Sequence, residues 1–171
     1  DGARVFNALV AKGHDPKEYA DHFDSISICM SKGLGAPVGS LLLGTKGFIK
    51  ESHRIRKSMG GGMRQAGIVA AAALYSLENN VERLVEDHKT AKTLGEVLSQ
   101  CDWVKSVVEP ETNILIFELT EGVHSEDVVK KMGSKGIQAL PFGPSMMRFV
   151  THKDMSMEDV EQCASILPEL I

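Results

Sequence analysis

Residues 25–44 read SISICMSKGLGAPVGSLLLG and decide the fold that we expect for this chain. The apolar run Ser25–Met30 is typical of a buried strand, and Ser40–Gly44 is typical of a second, shorter strand. Between them, Ser31–Gly39 is a loop interrupted by glycines, which allow the backbone to turn tightly. Two brief strands joined in this way predict an antiparallel pair at one end of an α/β sheet.

Lys32 is the first candidate functional residue, because it lies where the apolar strand ends. An ammonium group in apolar surroundings has its charged form disfavoured, which makes the free amine available as a nucleophile. A nucleophilic lysine attacks carbonyl groups and forms Schiff bases. Glycine-rich turns that carry a solvated lysine are also common, so the local sequence leaves both interpretations open.

Asp1 supplies a carboxylate 31 positions before Lys32 and is followed by Gly2. Pyridoxal phosphate chemistry needs both groups. A lysine holds the aldehyde, and a carboxylate keeps the pyridine nitrogen protonated so that the ring accepts electrons. The alternative interpretation makes Asp1 the cap of a helix over residues 3–12, and the two roles are compatible.

The remaining pattern of the first half is mainly helical. Apolar spacing predicts a helix over residues 3–12 that ends at Gly13, followed by a short helix over 16–21 with Asp15 as its cap. A basic helix is predicted over residues 46–58.

The second half begins with a long helical stretch and then changes character. Residues 65–100 predict two helices separated at Asn79-Asn80. From residue 104 onward the order is strand, strand, helix, strand, strand, helix, with Ser125 and Ser156 as expected caps of the two helices. This pattern is typical of a compact α+β unit.

Composition excludes several classes of protein. The 171 residues are 43% hydrophobic and 25% charged, with a net charge of −4, which argues against a nucleic-acid-binding protein. No apolar run is long enough to span a membrane, and no His or Cys cluster has the spacing of a metal site. Three cysteines fit a reducing, cytoplasmic compartment better than a disulfide framework. The chain begins without Met, so we expect it to be part of a longer polypeptide, and organellar targeting stays open.

Arg148 lies in MMRFV, an apolar strand pattern. A guanidinium group among hydrophobic neighbours is unfavourable unless an anion pairs with it, and its planar fork matches a carboxylate. The alternative is an arginine on an edge strand that points to water. Nearby His152 is expected to be structural, and His88 is expected on the solvated face of its helix.

The segment from Lys46 to Arg64 is basic. It holds six Lys or Arg and one Glu, a net charge of +5 against −9 for the rest of the chain. Lys57 and Arg64 flank the glycine triplet 60–62, where backbone amides are also available to an anion. The alternative is a solvated basic helix face, which is the expected role of Lys46, Lys50 and Arg54.

Taken together, five motifs resemble a known family. They are DGAR (1–4), SKGLGAPVGS (31–40), RK (56–57), GGGMRQAG (60–67) and RFVTH (148–152). In this order they resemble the low-specificity L-threonine aldolases, which are pyridoxal phosphate-dependent lyases of the aspartate aminotransferase fold. The resemblance covers essentially the whole chain.

The resemblance implies a fold and an assembly. Residues 1–75 would be the C-terminal part of the large α/β domain that binds pyridoxal phosphate, and residues 76–171 would be the small α+β domain. The enzyme would be a homodimer or homotetramer, with Lys57 and Arg64 near the substrate of a neighbouring subunit. The family's phosphate-binding glycines and ring-stacking residue lie upstream of DGAR, so we expect residues 1–171 alone to be inactive.

The resemblance also implies roles for individual residues. Asp1 would pair with the pyridine nitrogen, and Arg4 would lie beside the phenolic oxygen of the cofactor or help to hold substrate. Lys32 would form the Schiff base, and Arg148 would bind the α-carboxylate of an amino acid.

The implied reaction is cleavage of L-threonine or L-allo-threonine to glycine and acetaldehyde. Two alternatives remain open from the sequence. The first is another enzyme of the same fold, a β-eliminating lyase or an aminotransferase. The second is a non-catalytic remnant that serves only as a subunit interface.

Overall fold

The computed structural model describes residues 1–171 as two compact units, Asp1–Leu84 and Val85–Ile171. Both contain helices and antiparallel strands, in agreement with the expected α/β class. The first unit contains α1 (Val5–Lys12), α2 (Pro16–Ala20), β1 (Ser25–Cys29), β2 (Ser40–Gly44), α3 (Lys46–Ser58) and α4 (Gly67–Asn79). Helix α5 (Leu84–Leu98) begins at the division, and the second unit continues with β3 (Val104–Val108), β4 (Ile114–Leu119), α6 (Ser125–Ser134), β5 (Leu140–Gly143), β6 (Met146–Val150), α7 (Met157–Ile166) and a 3₁₀ turn over Leu167–Glu169.

The predicted antiparallel pair forms the sheet of the first unit. Strands β1 and β2 pair along their full lengths, from Ser25 opposite Gly44 to Cys29 opposite Ser40. The local signals around them are also confirmed. Gly13 ends α1 in the left-handed conformation, with φ of 66°, and the Asp15 side chain accepts a hydrogen bond from the backbone N–H of Lys17.

The prediction that β1 is a buried strand was wrong. Within β1 only Ile28 is buried, and β2 is exposed along its whole length, with Leu41, Leu42 and Leu43 each at least 40% exposed. The reason is the size of the sheet. A strand is buried on both faces when neighbours flank it and helices cover both sides, and this sheet has two strands only. Side chains of α1 pack with Ile28 in the core of the unit.

The long helical stretch is broken at Asn79-Asn80, as predicted. The expected domain boundary near residue 75 lies within α4, whereas the chain divides after Leu84. Helix α4 is attached to the first unit because Ala73 is in its core and the Asn80 side chain bonds the backbone of that unit. None of the helices combines the length and the apolar character that crossing a membrane requires.

The second unit is built on a four-stranded antiparallel sheet in the order β3-β4-β6-β5. Alternate residues of β4 are buried, so one face of the sheet forms the core. Three aromatic rings lie in this core. Phe117 packs edge-on against both Trp103 and Phe149, and the Trp103 indole donates to the backbone oxygen of Leu167 at 2.9 Å.

Of the two serine caps expected in this unit, one is confirmed. Ser156 forms a reciprocal capping box with Asp159 at the start of α7. The expectation for Ser125 was wrong, because it is the first residue inside α6 and its hydroxyl donates to the backbone oxygen of Gly143 at 2.7 Å. His124 occupies the cap position without a side-chain bond.

The expectation that His88 is solvated was also wrong. His88 is only 6% exposed, because it follows buried Leu84 by one helical turn and precedes buried Ala91 by another. Burial lowers the pKa of His88, and the charge of Lys92 lowers it further, against the opposing effect of Asp87. The neutral imidazole is therefore favoured at this position.

Candidate cofactor site

The turn that carries Lys32 is closely hydrogen-bonded. The backbone N–H of Gly35 donates to the Lys32 oxygen at 2.9 Å, and that of Ala36 donates to the Met30 oxygen at 2.9 Å. Gly35 and Gly39 have φ of 71° and 117°, a region that other residues rarely adopt. The backbone of Lys32 is thus held in place while its side chain is exposed.

The exposed position of Lys32 differs from the expectation that its ammonium group lies in apolar surroundings. Within this chain those surroundings are absent. Met30 and Leu34, on either side, are the buried members of the turn. They direct the backbone into the core and leave Lys32 outside it.

Residues 1–4 lie against the strand that leads to Lys32. The Gly2 N–H donates to the Ser27 oxygen at 2.8 Å, and a Cβ at Gly2 would lie 2.7 Å from the Cγ2 of Ile26. Only glycine permits this approach. The carboxylate of Asp1 accepts from the Ala3 N–H at 2.9 Å, whereas α1 has no side-chain cap. Asp1 therefore bonds the backbone before α1 and leaves the helix terminus uncapped.

Arg4 lines a narrow cavity between this segment and the Lys32 turn. Cys29 and Gly33 line it too, and its volume is about 10 Å³. The cavity is too small for a ligand, but it shows that the two motifs meet. The Nε atom of Arg4 is buried and has no hydrogen-bond partner. Buried polar atoms are almost always paired, so an orphaned guanidinium nitrogen at this point favours an external acceptor.

Cys29 also lies close enough to Lys32 to interact with its charge, and no sequence motif had indicated this residue as part of the site. Burial of the thiol raises its pKa, but hydrogen bonding with Ser31, the charge of Lys32 and a hydrogen bond with Ser40 outweigh burial. The net effect places the pKa of Cys29 below its ordinary value. The Sγ of Cys29 lies 3.4 Å from the hydroxyl of Ser31.

We predict that Cys29 of the cofactor-free protein reacts with iodoacetamide with a half-maximal rate at lower pH than an ordinary cysteine, because the thiolate is the nucleophile. Lys32→Met removes a neighbouring positive charge and is expected to move that midpoint upward. Peptide mass spectrometry across a pH series measures both. Cys163 is the internal control, because burial raises the pKa of its thiol. Equal pH profiles for Cys29 and Cys163 would refute the prediction.

Lys57 and Arg64 are exposed and lie on either side of the glycine triplet. Lys57 is in the last turn of α3, and Arg64 precedes Gln65, whose φ is 52°. Neither residue lines the cavity beside Lys32. Their expected role at a neighbouring subunit stays a prediction.

Arg148 belongs to the second unit and is exposed, which corrects the expectation of a guanidinium among hydrophobic neighbours. It lies on the open face of β6, and its Cζ is 4.9 Å from the centre of the Phe142 ring. No ion pair within the chain engages it. Arg148 lines a cavity of about 460 Å³ with Gln138 and His152, among other residues. An exposed, ring-stacked guanidinium is available to an anion.

His152 has a local structural contact. Its Nδ1 accepts a hydrogen bond from the Asp154 N–H at 3.3 Å, and the Asp154 carboxylate lies 3.7 Å away. His152 thus stabilises the turn that follows β6. No group of three or more His, Cys, Asp or Glu side chains is arranged to hold a metal ion.

The comparison with known families agrees with this arrangement. A sequence profile of the beta-eliminating lyases matches residues 1–121, which include Asp1, Arg4 and Lys32. The chain belongs to the beta-eliminating lyase family. The match to the beta-eliminating lyases ends at residue 121, so Arg148 lies outside it.

Curated relatives confirm the resemblance that the motifs indicated. The low specificity L-threonine aldolase of Escherichia coli (strain K12) is 44% identical over 96% of this chain and 48% of its own length. The low-specificity L-threonine aldolase 1 of Arabidopsis thaliana is 39% identical over 96% of this chain and 47% of its own. The chain therefore spans about half the length of the curated relatives it matches.

Solved structures show the same fold. A Listeria monocytogenes EGD-E protein, provisionally described as an L-allo-threonine aldolase, superposes with a TM-score of 0.80 at 20% identity, over all of this chain and 51% of its own. The ornithine aminotransferase of Toxoplasma gondii ME49 superposes with a TM-score of 0.64 at 17% identity, over 95% of this chain and 40% of its own. The expected fold, part of a transferase-like α/β domain followed by a smaller unit, is thereby confirmed.

Pyridoxal phosphate is the cofactor of this group of enzymes, and the first unit fits it. The fit rests on the orphaned Arg4 Nε beside the Lys32 turn and on the exposed amine and carboxylate of Lys32 and Asp1. A cationic donor, an amine and an anion are the groups that this cofactor requires of its protein.

Proposed function

We propose that the protein containing this chain is a pyridoxal phosphate-dependent aldehyde lyase that cleaves L-threonine or L-allo-threonine to glycine and acetaldehyde. The observation that carries the proposal is the meeting of residues 2–4 with Gly33 and Leu34 of the Lys32 turn at one cavity, where Arg4 has an unpartnered Nε. The similarity to threonine aldolases over nearly the whole chain supports the choice of substrate.

In this proposal three residues of the first unit hold the cofactor. Lys32 binds its aldehyde carbon, Asp1 holds a proton on the pyridine nitrogen, and Arg4 donates to an acceptor oxygen of the cofactor or substrate. When bound, the cofactor supplies an electron sink for the pair of electrons left at the substrate Cα. The negative charge of Asp1 maintains this capacity, because it favours the protonated pyridine.

The substrate is oriented by Arg148. Its guanidinium is exposed and has no partner carboxylate, so a bidentate pair with the α-carboxylate of an amino acid is open to it. Stacking on Phe142 restricts the rotation of the side chain before substrate binds. The base that removes the β-hydroxyl proton is assigned to water or to a histidine upstream of Asp1.

The proposal also covers the domains, the oligomeric state and the cellular location of the protein. The first unit, Asp1–Leu84, completes the large domain, and the second unit, Val85–Ile171, forms the small domain of a homodimer or homotetramer. Lys57 and Arg64 then reach a neighbouring subunit near its phosphate and substrate. All three cysteines are free thiols, which supports a reducing, cytoplasmic location.

The test is a product assay on the complete natural polypeptide that contains these residues. With pyridoxal phosphate and L-threonine or L-allo-threonine, we expect equal amounts of glycine and acetaldehyde. The family description favours β-elimination as the second candidate, which would instead release 2-oxobutanoate and ammonia. Accumulation of the keto acid without glycine would overturn the aldolase assignment. Residues 1–171 alone are expected to bind the cofactor weakly in a parallel titration, because the phosphate-binding segment is expected upstream of Asp1.

A further inference from the structure

The turn that carries Lys32 is bonded on its buried side by the side chain of Asn80. Asn80 is 8% exposed, and its Nδ2 donates to the backbone oxygen of Leu34 at 2.7 Å, across 46 positions of the chain. Leu34 itself is 3% exposed. Because Leu34 is buried, its carbonyl oxygen is shielded from water, and Asn80 supplies the hydrogen bond that this oxygen needs.

Close packing holds the same turn from a second direction. A Cβ at Gly33 would lie 2.7 Å from the Oδ1 of Asn7 and 3.3 Å from the Cδ2 of Leu84. Asn7 is 2% exposed and belongs to α1. Glycine at position 33 therefore lets α1 and the start of α5 close on the residue that directly follows Lys32.

We propose that Asn80 is a positioning residue that sets the placement of the Lys32 amine for its reaction with the cofactor aldehyde. The inference rests on the proposed function. Asn80 bonds Leu34, and Gly35, the next residue, donates to the Lys32 oxygen. Loss of the Asn80 donor leaves a buried carbonyl unsatisfied, which favours turn conformations that expose it to water. Lys32 moves with that turn.

The test compares Asn80→Ala with Asn79→Ala in the complete, cofactor-free polypeptide. Asn79 is the matched control, because its Nδ2 also donates to a backbone oxygen, that of Tyr75 at 2.8 Å, but on the exposed surface of α4. Pyridoxal phosphate is added, samples are reduced with borohydride at intervals, and the Lys32 peptide is followed by mass. We expect attachment to slow about tenfold in Asn80→Ala, the equivalent of one lost buried hydrogen bond. Asn79→Ala is expected to match the wild type.

Amide hydrogen exchange provides a readout that needs no cofactor. The amides of Gly35 and Ala36 are expected to exchange about tenfold faster in Asn80→Ala than in Asn79→Ala. If Asn80→Ala does not fold, Asn80→Ser, which keeps a shorter hydroxyl donor, takes its place with the same expected direction.

The outcomes separate this proposal from the function on which it rests. Attachment at an unchanged rate in a folded Asn80 variant overturns the positioning role, whether or not exchange is faster, and leaves the proposed function standing. A wild-type protein that attaches no cofactor at Lys32 refutes the proposed function, and the positioning role fails with it.

Discussion

Lys32→Ala is expected to abolish the visible absorbance of bound pyridoxal phosphate and to reduce kcat/KM for L-threonine by at least about a thousandfold. The expected loss is large because the substitution removes the only amine of a turn whose backbone is held by the Gly35 and Ala36 hydrogen bonds and whose Gly33 lines the cavity with Arg4. Absorbance spectra and glycine release, measured on the complete polypeptide, check the two effects separately.

Lys135→Ala is the matched control for this substitution. Lys135 is exposed at the end of α6 in the second unit, so its loss removes a lysine without touching the Lys32 turn. The control is expected to keep both absorbance and activity. Retention of the cofactor absorbance by Lys32→Ala would show that another amine holds the aldehyde.

Arg148→Ala is expected to raise KM for L-threonine about a hundredfold, because a charge-assisted bidentate pair with the substrate carboxylate is lost. The exposure of Arg148 on β6 matters for this expectation. A buried arginine would also destabilise the fold when removed, whereas here unfolding temperature is expected to change little. Steady-state kinetics and thermal unfolding, measured on the same samples, distinguish the two effects.

Arg148→Lys tests whether substrate binding depends on the two-pronged guanidinium group or only on its positive charge. Lysine keeps the charge but makes a single contact, so we expect a KM between those of the wild type and Arg148→Ala. Arg54→Ala is the control, because Arg54 is exposed on α3 and pairs with Glu51 within its own helix. A KM for Arg148→Ala equal to that of the wild type would remove Arg148 from the substrate site.

Local signals in the sequence predicted local structure well. Gly13 ends α1, Asp15 caps α2, and Ser156 begins α7 with a capping box. The β1–β2 pair formed as expected from Ser25–Gly44. Each of these depends on contacts between residues close in the chain, so the residue types and their spacing carry enough information.

Predictions that depended on distant contacts were less successful. His88 is buried because its face of α5 lies in the interior, and the amphipathic pattern around it did not show which face that would be. Ser125 bonds Gly143, a residue on another element, in place of capping α6. Asn80 was identified as a helix break, but its bond to Leu34 connects positions that no motif links.

In the candidate site, too, local motifs were informative and the surroundings of the side chains were not. The motifs indicated Asp1, Arg4 and Lys32, and the structure brings their segments to one cavity. The sequence left the exposure of Lys32 and Arg148 open, because an apolar neighbour in sequence is not always an apolar neighbour in space. Met30 and Leu34, for example, are buried while Lys32 between them is exposed.

The central claim is that one amine, the Nζ of Lys32, carries the cofactor. Its most direct test is peptide mapping of the complete wild-type polypeptide after incubation with pyridoxal phosphate and reduction with borohydride. The account predicts a phosphopyridoxyl group on the peptide containing Lys32. The same group on another lysine, with an unmodified Lys32, would contradict it.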